Sequence, residues 1–376
     1  MAMVSMSGKL WRNMIPVTEP YLPPRGRLDY YLDRVYASHR LTNDGPLVRE
    51  LTRRLEDYLG VTNLLLVANG TLAIQLALAT LGVKRGRGLT TPFTFPATSS
   101  ALSWQGVEPQ YADIDPETLN LDPLAADHAV TADTRVILPV HTYGNPCDVE
   151  RFRALANRIR VPLVYDASHA FGVQLNGQSL LNWGDAATLS LHATKLFHTA
   201  EGGGIVFRDS HLLEEARSMI NFGLDNGSPV RIGINAKMSE MHAAMGLAVL
   251  EAIDEIIDYR MAIQDHYRKR LSGRIELPVF SADASANGAY MPVLCRNAVH
   301  RKRVQRHLLA NGIESRAYFS PALGSLGLYT KEITGAGVEF ADRILCLPIF
   351  FGLSTIQVDH ICDLVCAIPP TQEPAL

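Results

Sequence analysis

Between Leu64 and Tyr165 short apolar runs alternate with helical stretches, and this rhythm restricts the fold more than any other feature of the chain. Leu64 to Val67 reads as a buried strand, Asn69-Gly70-Thr71 as a tight turn, and Leu72 to Leu81 as an apolar helix. Gly88 to Pro92 ends a second strand ahead of a helix over Ala97 to Trp104. Pro109 to Ile114 is a third strand, followed by the acidic turn Asp113-Ile114-Asp115-Pro116. Arg135 to Val140 is nearly pure apolar, Val149 to Arg158 is helical, and Pro162 to Tyr165 is another short strand. Strands alternating with helices predict an α/β fold, with a mostly parallel sheet covered on both faces. Ligands of such sheets bind beyond the carboxyl ends of the strands. Asn69-Gly70-Thr71, Phe93-Thr94-Phe95, His141-Thr142-Tyr143 and Asp166-Ala167-Ser168-His169 all fall at such ends.

The flanking segments suggest a second, smaller unit. Leu28 to Arg40 is helix-like, and Leu47, Leu51, Leu55 and Leu59 mark an amphipathic helix by their spacing. Met238 to about Arg270 reads as a long connecting helix. Beyond it come strand-like Ala289 to Leu294, a helix from Arg301 to Asn311, a strand near Ile313 to Tyr318 and a final helix from Thr355 to Ile368. A length of 376 residues accommodates this division, expected as a large domain over 1–255 and a small α+β domain over 256–376. A net charge of −3 gives no basic footprint for nucleic acid. The five cysteines are scattered without a CxxC pair, as in a reduced, cytosolic protein. No run approaches the roughly 18 apolar residues of a membrane span, and Met1 to Met14 lacks the continuous apolar core of a signal peptide. A soluble cytoplasmic protein is expected. No GxGxxG follows a strand, so a dinucleotide fingerprint is missing.

Chemistry concentrates around Lys195, in a polar segment after the strand-like Ala186 to Ser190 and before Gly202-Gly203-Gly204. A lysine placed in a desolvated pocket loses its proton more readily, and its neutral amine attacks carbonyls. Asp166 directly follows an apolar strand, where a carboxylate could keep a pyridine nitrogen protonated and make the ring an electron sink. Asn69-Gly70-Thr71 at a helix start, together with Ser190, could hold a phosphate through N–H and hydroxyl donors. Phe95, on a loop after a strand, could stack on a planar ring. Each alone has a plainer reading: a solvated lysine, a turn aspartate, a turn glycine, a core aromatic. Acid, amine, phosphate cradle and stacking face together describe a pyridoxal 5′-phosphate site. His192 and His198 flank the lysine and read as structural, and the glycine run reads as a tight turn with a close strand approach.

At this point the chain resembles the DegT/DnrJ/EryC1/StrS sugar aminotransferases, from about Ile15 to Ile368. The carrying segments are Thr42-Asn43-Asp44-Gly45-Pro46, Asn69-Gly70-Thr71, Pro92 to Thr98, Asp113-Ile114-Asp115, His141 to Pro146, Asp166 to Gly172, Gly184-Asp185, the Lys195 stretch, and Gly233 to Met241. The resemblance implies the fold type I, aspartate-aminotransferase-like architecture of pyridoxal-phosphate transferases. By position it implies that Lys195 forms the Schiff base and that Asp166 pairs with the pyridinium. It places His169 near the ring hydroxyl, Gly70, Thr71 and Ser190 on the phosphate, and Phe95 on the ring. Asn235 matches an asparagine that reaches the phosphate of a neighbouring subunit, which implies a homodimer with shared active sites. Lys237 stands where the family often has arginine, a change of geometry that bears on substrate contacts. Arg316 and Tyr318 are further candidates for touching the sugar nucleotide.

The activity so implied is transfer of an amino group from L-glutamate to a nucleotide-linked keto-deoxy sugar. The wording of the last two motifs resembles enzymes that make dTDP-4-amino-4,6-dideoxy sugars, which implies dTDP-4-keto-6-deoxyglucose as acceptor and products used in surface polysaccharide or glycoside biosynthesis. Three alternatives remain from sequence: a 3-keto sugar aminotransferase, a pyridoxal-phosphate-dependent sugar dehydratase, and a regulator that kept the fold without the activity. Sister dehydratases carry histidine in place of the lysine, so Lys195 weighs against that alternative.

Overall fold

The computed structural model describes residues 14–330 and 335–369. The reading of the first thirteen residues lies outside them.

The chain enters through α1 (Arg25–Ser38) and α2 (Pro46–Leu59), then follows the expected alternation. β1 (Leu64–Val67) leads into α3 (Gly70–Thr80), β2 (Arg87–Thr90) into α4 (Pro96–Trp104), and β3 (Glu108–Tyr111) into α5 (Pro123–Ala129). β4 (Thr134–Ile137) leads into α6 (Val149–Ile159), β5 (Val164–Asp166) follows, and then β6 (Ala186–Ser190) and β7 (Gly203–Phe207). Ladders and two parallel bridges, Ile137 to Leu163 and Val140 to Asp166, join these into one sheet in the order β1-β7-β6-β5-β4-β2-β3. Every neighbouring pair is parallel except those made by β7, which runs antiparallel to both β1 and β6.

Alternate residues of the strands serve opposite faces, as the pleat requires. Leu64 and Leu66 join one apolar core with α1 and α2, while Leu65 and Val67 join another with α3. The insertion of β7 depends on its glycines. A Cβ on Gly203 would lie 2.4 Å from the Asn69 carbonyl oxygen, so only glycine lets β7 pass beside the turn that starts α3. The close approach read from the glycine run is therefore within a strand and not only a turn.

After α7 (Ser210–Met219), the expected single connecting helix is two helices, α8 (Glu240–Leu250) and α9 (Ile253–Leu271). The small residues Ala243, Ala244, Gly246 and Ala248 let α8 sink into the core against α1 and α2, and the chain turns at Ala252 before α9 leaves. The remainder carries β8 (Met291–Leu294), α10 (Ala298–Ala310), α11 (Gly335–Arg343), β9 (Ile344–Leu347) and α12 (Thr355–Cys366). β8 and β9 pair antiparallel. The strand expected near Ile313 to Tyr318 is only two isolated bridges, Ile15 to Ile313 and Arg316 to Cys346. This end has its own core around Ile263, Tyr267, Val293, Val304 and Ile361. A further cluster, with Phe93, Tyr143, Phe319 and Phe340, joins it to the carboxyl edge of the large sheet.

Candidate active site

The site grows from the ends of β1, β2, β5 and β6. Asn69 is extended (φ −165°) and its Oδ1 accepts the Leu72 amide at 2.9 Å, capping α3. The amides of Gly70 and Thr71, in the first turn, have no intrahelical acceptor, and both residues line a cavity of ≈ 370 Å³. A Cβ on Gly70 would stand 2.8 Å from Ser190 Cβ, so glycine allows the start of α3 to lie against the end of β6. Ser190 lines the same cavity.

Asp166 ends β5 and is buried. Its Oδ2 accepts from Thr98 Oγ1 at 2.8 Å, and Oδ1 accepts from Ser168 Oγ at 2.6 Å and the Ser168 amide at 3.1 Å. Three donors hold a carboxylate that faces the cavity. Thr98 in turn shares a proton with Thr94 at 2.9 Å, which fixes the start of α4 to the strand end.

Lys195 is half-buried in the segment after β6, and its amide donates to the His192 carbonyl at 2.8 Å. Burial pulls its amine down to about 8, and the charge of Asp166 only partly opposes that. His169 accepts the Tyr143 amide on Nδ1 at 3.2 Å, which places its remaining proton on Nε2. Burial, and then the nearby Lys195 charge, hold this imidazole well below its ordinary range, so it is neutral. Its ring lies parallel to Phe319, 5.7 Å between centroids. Phe95 stays 56% exposed at the mouth, with its ring edge toward Phe319. The structure thus brings together Gly70, Thr71, Phe95, Asp166, His169, Ser190, Lys195 and Tyr318 around one cavity.

Three candidates lie elsewhere in this chain. Asn235 is exposed and bridged to Asn221. Lys237 Nζ donates to Asn221 Oδ1 at 2.8 Å and sits over the Phe222 ring, lining a second cavity with Asn43, Asp44 and Arg217. Arg316 forms an exposed ion pair with Glu314. His192 sits on the rim near Glu201, and buried His198 meets the Tyr21 carbonyl at 2.8 Å.

Sequence reasoning missed Thr98 and Tyr290. Thr98 could have been found, since it stands in the first turn of the helix that directly follows the strand-end segment Phe93-Thr94-Phe95. Tyr290 carries no local signal, because the tertiary fold alone brings it to the Lys195 amine, 3.4 Å from Nζ.

Comparison with known proteins points the same way as this geometry. A sequence model of the DegT/DnrJ/EryC1/StrS aminotransferase family matches residues 26–366. The chain is 37% identical over 359 residues to a dTDP-4-amino-4,6-dideoxy-D-glucose transaminase of Shigella dysenteriae, covering 93% of this chain and 97% of that one. It is 35% identical over 364 residues to the Escherichia coli protein of the same name, covering 93% and 98%. Among solved structures, DesI in the presence of its TDP-sugar product superposes with a TM-score of 0.89 at 35% identity, covering 94% of this chain and 93% of that one.

Proposed function

The chain belongs to the DegT/DnrJ/EryC1/StrS aminotransferase family and is a pyridoxal-phosphate-dependent sugar aminotransferase; we propose how its residues carry that reaction and on which sugar. Three observations support a fit of the cofactor to the cavity. Open amides at the start of α3 lie beside Ser190, where a phosphate is favoured. A buried, triply bonded carboxylate stands at Asp166, suited to a protonated ring nitrogen. Aromatic and imidazole faces at Phe95 and His169 flank the space between. Gly70, Thr71 and Ser190 would therefore hold the phosphate, Asp166 the ring nitrogen, and Lys195 the aldehyde carbon.

When bound, the cofactor supplies an aldehyde that carries the amino group and a ring that takes electrons from the reacting carbon. Lys195 does the proton work. Its Nζ accepts the proton leaving the α-carbon of L-glutamate, and in the second half-reaction it delivers a proton to the former ketone carbon of the sugar. With an amine near 8, about one lysine in ten is neutral at pH 7, against fewer than one in a thousand at the ordinary value. Thr98 and Ser168 fix the Asp166 carboxylate through three donated hydrogen bonds, so it needs no reorganisation to keep a ring nitrogen protonated. Phe319 and Tyr318 line the same cavity from the C-terminal part of the chain.

The acceptor proposed is dTDP-4-keto-6-deoxyglucose, with L-glutamate as donor, in the cytoplasm, for surface polysaccharide or glycoside biosynthesis. The relatives' names support the sugar. Among the described residues no helix is long and apolar enough to cross a membrane. A homodimer with shared sites is part of the same proposal. Asn235 and Lys237 lie off this chain's own cavity, beside the exposed apolar Phe222, Val230, Ile232 and Ile234. The observation that carries the proposal is the depressed Lys195 amine in one cavity with the buried Asp166 carboxylate. Incubating the purified protein with glutamate and a panel of dTDP- and UDP-linked 3- and 4-keto sugars, with products read by mass spectrometry, tests it. A one-unit mass increase, from ketone to amine, is expected with the dTDP-4-keto sugar; no product from that sugar overturns the choice.

A further inference from the structure

Tyr290 is delivered to Lys195 by a set of contacts that nothing in the transamination scheme requires. Among the described residues, the Tyr290 hydroxyl is the one hydrogen-bond partner of Lys195 Nζ, at 3.4 Å. The segment that carries it, 287–290, is fixed on two sides. On the small-domain side, Arg260 of α9 donates from Nε to the Gly288 carbonyl at 2.9 Å and from a terminal nitrogen to the Ala289 carbonyl at 2.8 Å. Gln264, one turn on, donates to the Tyr290 carbonyl at 2.7 Å. On the large-domain side, Asn287 Nδ2 donates to the carbonyls of His169 at 3.0 Å and Phe171 at 3.1 Å, while its Oδ1 takes the Ala289 amide at 3.0 Å.

Two features show how tightly this clamp is built. Arg260 is 4% exposed, its hydrogen bonds go to backbone carbonyls, and burial pulls its guanidinium down to about 10. A buried charge with no carboxylate partner is expensive unless it is fully hydrogen-bonded. Gly288, at φ +64°, comes so close that a Cβ there would lie 2.8 Å from the Arg260 backbone. The ring of Tyr290 packs edge-on against His169 at 4.6 Å, so its rotamer is fixed by the loop that follows Asp166.

We propose that Tyr290 is a positioning residue for Lys195: its hydroxyl accepts an N–H of the free lysine and holds Nζ over the point of proton exchange, with Arg260, Gln264 and Asn287 setting the reach. The need arises once glutamate has displaced the lysine. A four-carbon chain then has many rotamers, and a fixed acceptor removes most of that freedom. The titratable groups that line the cavity with Lys195 are Asp166 from β5, His169 from the following loop, Tyr290 and Tyr318 from the C-terminal part of the chain, and His192 and Glu201 at the rim. Of these, Tyr290 alone makes the hydrogen bond.

The proposal rests on the aminotransfer role of Lys195, and its test is separable from that role. In the cofactor-free protein, the pH dependence of Lys195 acetylation by acetic anhydride is read peptide by peptide in wild type and Tyr290→Phe. A hydrogen bond to the ammonium form favours that form, so its loss is expected to move the Lys195 midpoint down by about half a unit to one unit. The loaded Tyr290→Phe enzyme is expected to lose about tenfold or more in kcat with KM for both substrates within about twofold, the signature of an interaction that matters only to the chemical step. Gln264→Leu, which loosens the segment and keeps the hydroxyl, is expected to move both readouts the same way by less. A kcat loss with an unmoved or raised Lys195 midpoint makes Tyr290 merely structural and overturns the proposal. Unchanged kcat overturns it as well. Failure of Lys195→Ala to abolish turnover would instead sink the role of the lysine itself.

Discussion

Gly70→Ala probes the junction on which the phosphate cradle depends. A methyl group there would stand 2.8 Å from Ser190 Cβ, 3.1 Å from Ser190 Cα and 3.2 Å from its Oγ. Ordinary van der Waals contact begins at 3.4 Å, so the two segments must part by about 0.6 Å. Neither side yields easily. Ser190 is locked in register opposite Gly203, and Gly203 is itself packed on the Asn69 backbone. Overpacking of this kind costs about 1–3 kcal/mol. The most compliant element is the first turn of α3, whose displacement pulls the Gly70 and Thr71 amides away from Ser190 Oγ. Most of the penalty should therefore appear in cofactor affinity, as a rise of roughly 10- to 100-fold in Kd. Titration of the cofactor-free protein with pyridoxal phosphate, followed by tryptophan quenching, measures it. Gly26→Ala is the control: nothing lies within 4 Å of its new methyl in α1, and it should stabilise the protein by up to about 1 kcal/mol without touching affinity. A Gly70→Ala protein whose Kd stays within about twofold of wild type refutes the cradle.

Lys195→Ala should abolish turnover and the visible absorbance of the loaded enzyme, since no other amine lines the cavity among the described residues; near-normal turnover would remove the lysine from the mechanism. Glu240→Gln should lower stability by about 2–3 kcal/mol in urea unfolding. Glu240 is fully buried and accepts the Leu47 and Val48 amides at 2.8 and 2.9 Å, and a glutamine must turn its NH2 toward one of those donors. Stability should also fall as pH drops from about 6.5 to 4.5. Burial holds His141 down to about 3, so in that window the unfolded chain binds a proton that the folded one refuses, and roughly 2–3 kcal/mol is lost. His141→Asn, whose Oδ1 can still accept the Cys147 amide now received by Nδ1 at 3.0 Å, should make that slope shallower, the remainder belonging to buried His169 and His198; an equally steep slope in the variant refutes the share given to His141.

What could be read from the sequence follows from the range of each interaction. Strands such as Leu64 to Val67 and Ala186 to Ser190 were visible to the residue because both faces are buried and both ends are punctuated. Asp166, Ser190 and Gly70 were visible because position at a strand end is a local property. Strand β7 was missed because its first two residues are glycines, which advertise a turn; only the nearness of Asn69 and Leu64 shows why side chains are excluded there. The break between α8 and α9 was hidden by continuous helical composition, although the dense small residues before Leu250 and the charged ones after Ile253 serve different surroundings. Tyr290 and its clamp were invisible for the plainest reason. They meet Lys195 and His169 across more than ninety positions of chain.

The cavity of one chain is complete for chemistry and incomplete for recognition. It contains an amine, a carboxylate, open amides and flat faces, yet among the described residues no arginine lines it. L-Glutamate carries two carboxylates and a sugar nucleotide two phosphates, and anions of this kind are usually met by guanidinium or ammonium groups. The cations that could serve lie outside: Lys237 and Arg217 share a second cavity with Asn43 and Asp44, in the neighbourhood of the segment 222–234, whose Ile232 is 90% exposed. Lys237 is kept ready there, because Asn221 and the Phe222 ring hold its ammonium without neutralising it. An exposed apolar segment next to an ammonium that has no carboxylate partner is costly in a free monomer and favourable at a contact. That combination supports the proposed homodimer, in which Asn235 and Lys237, off the cavity of their own chain, would serve the site of a second copy.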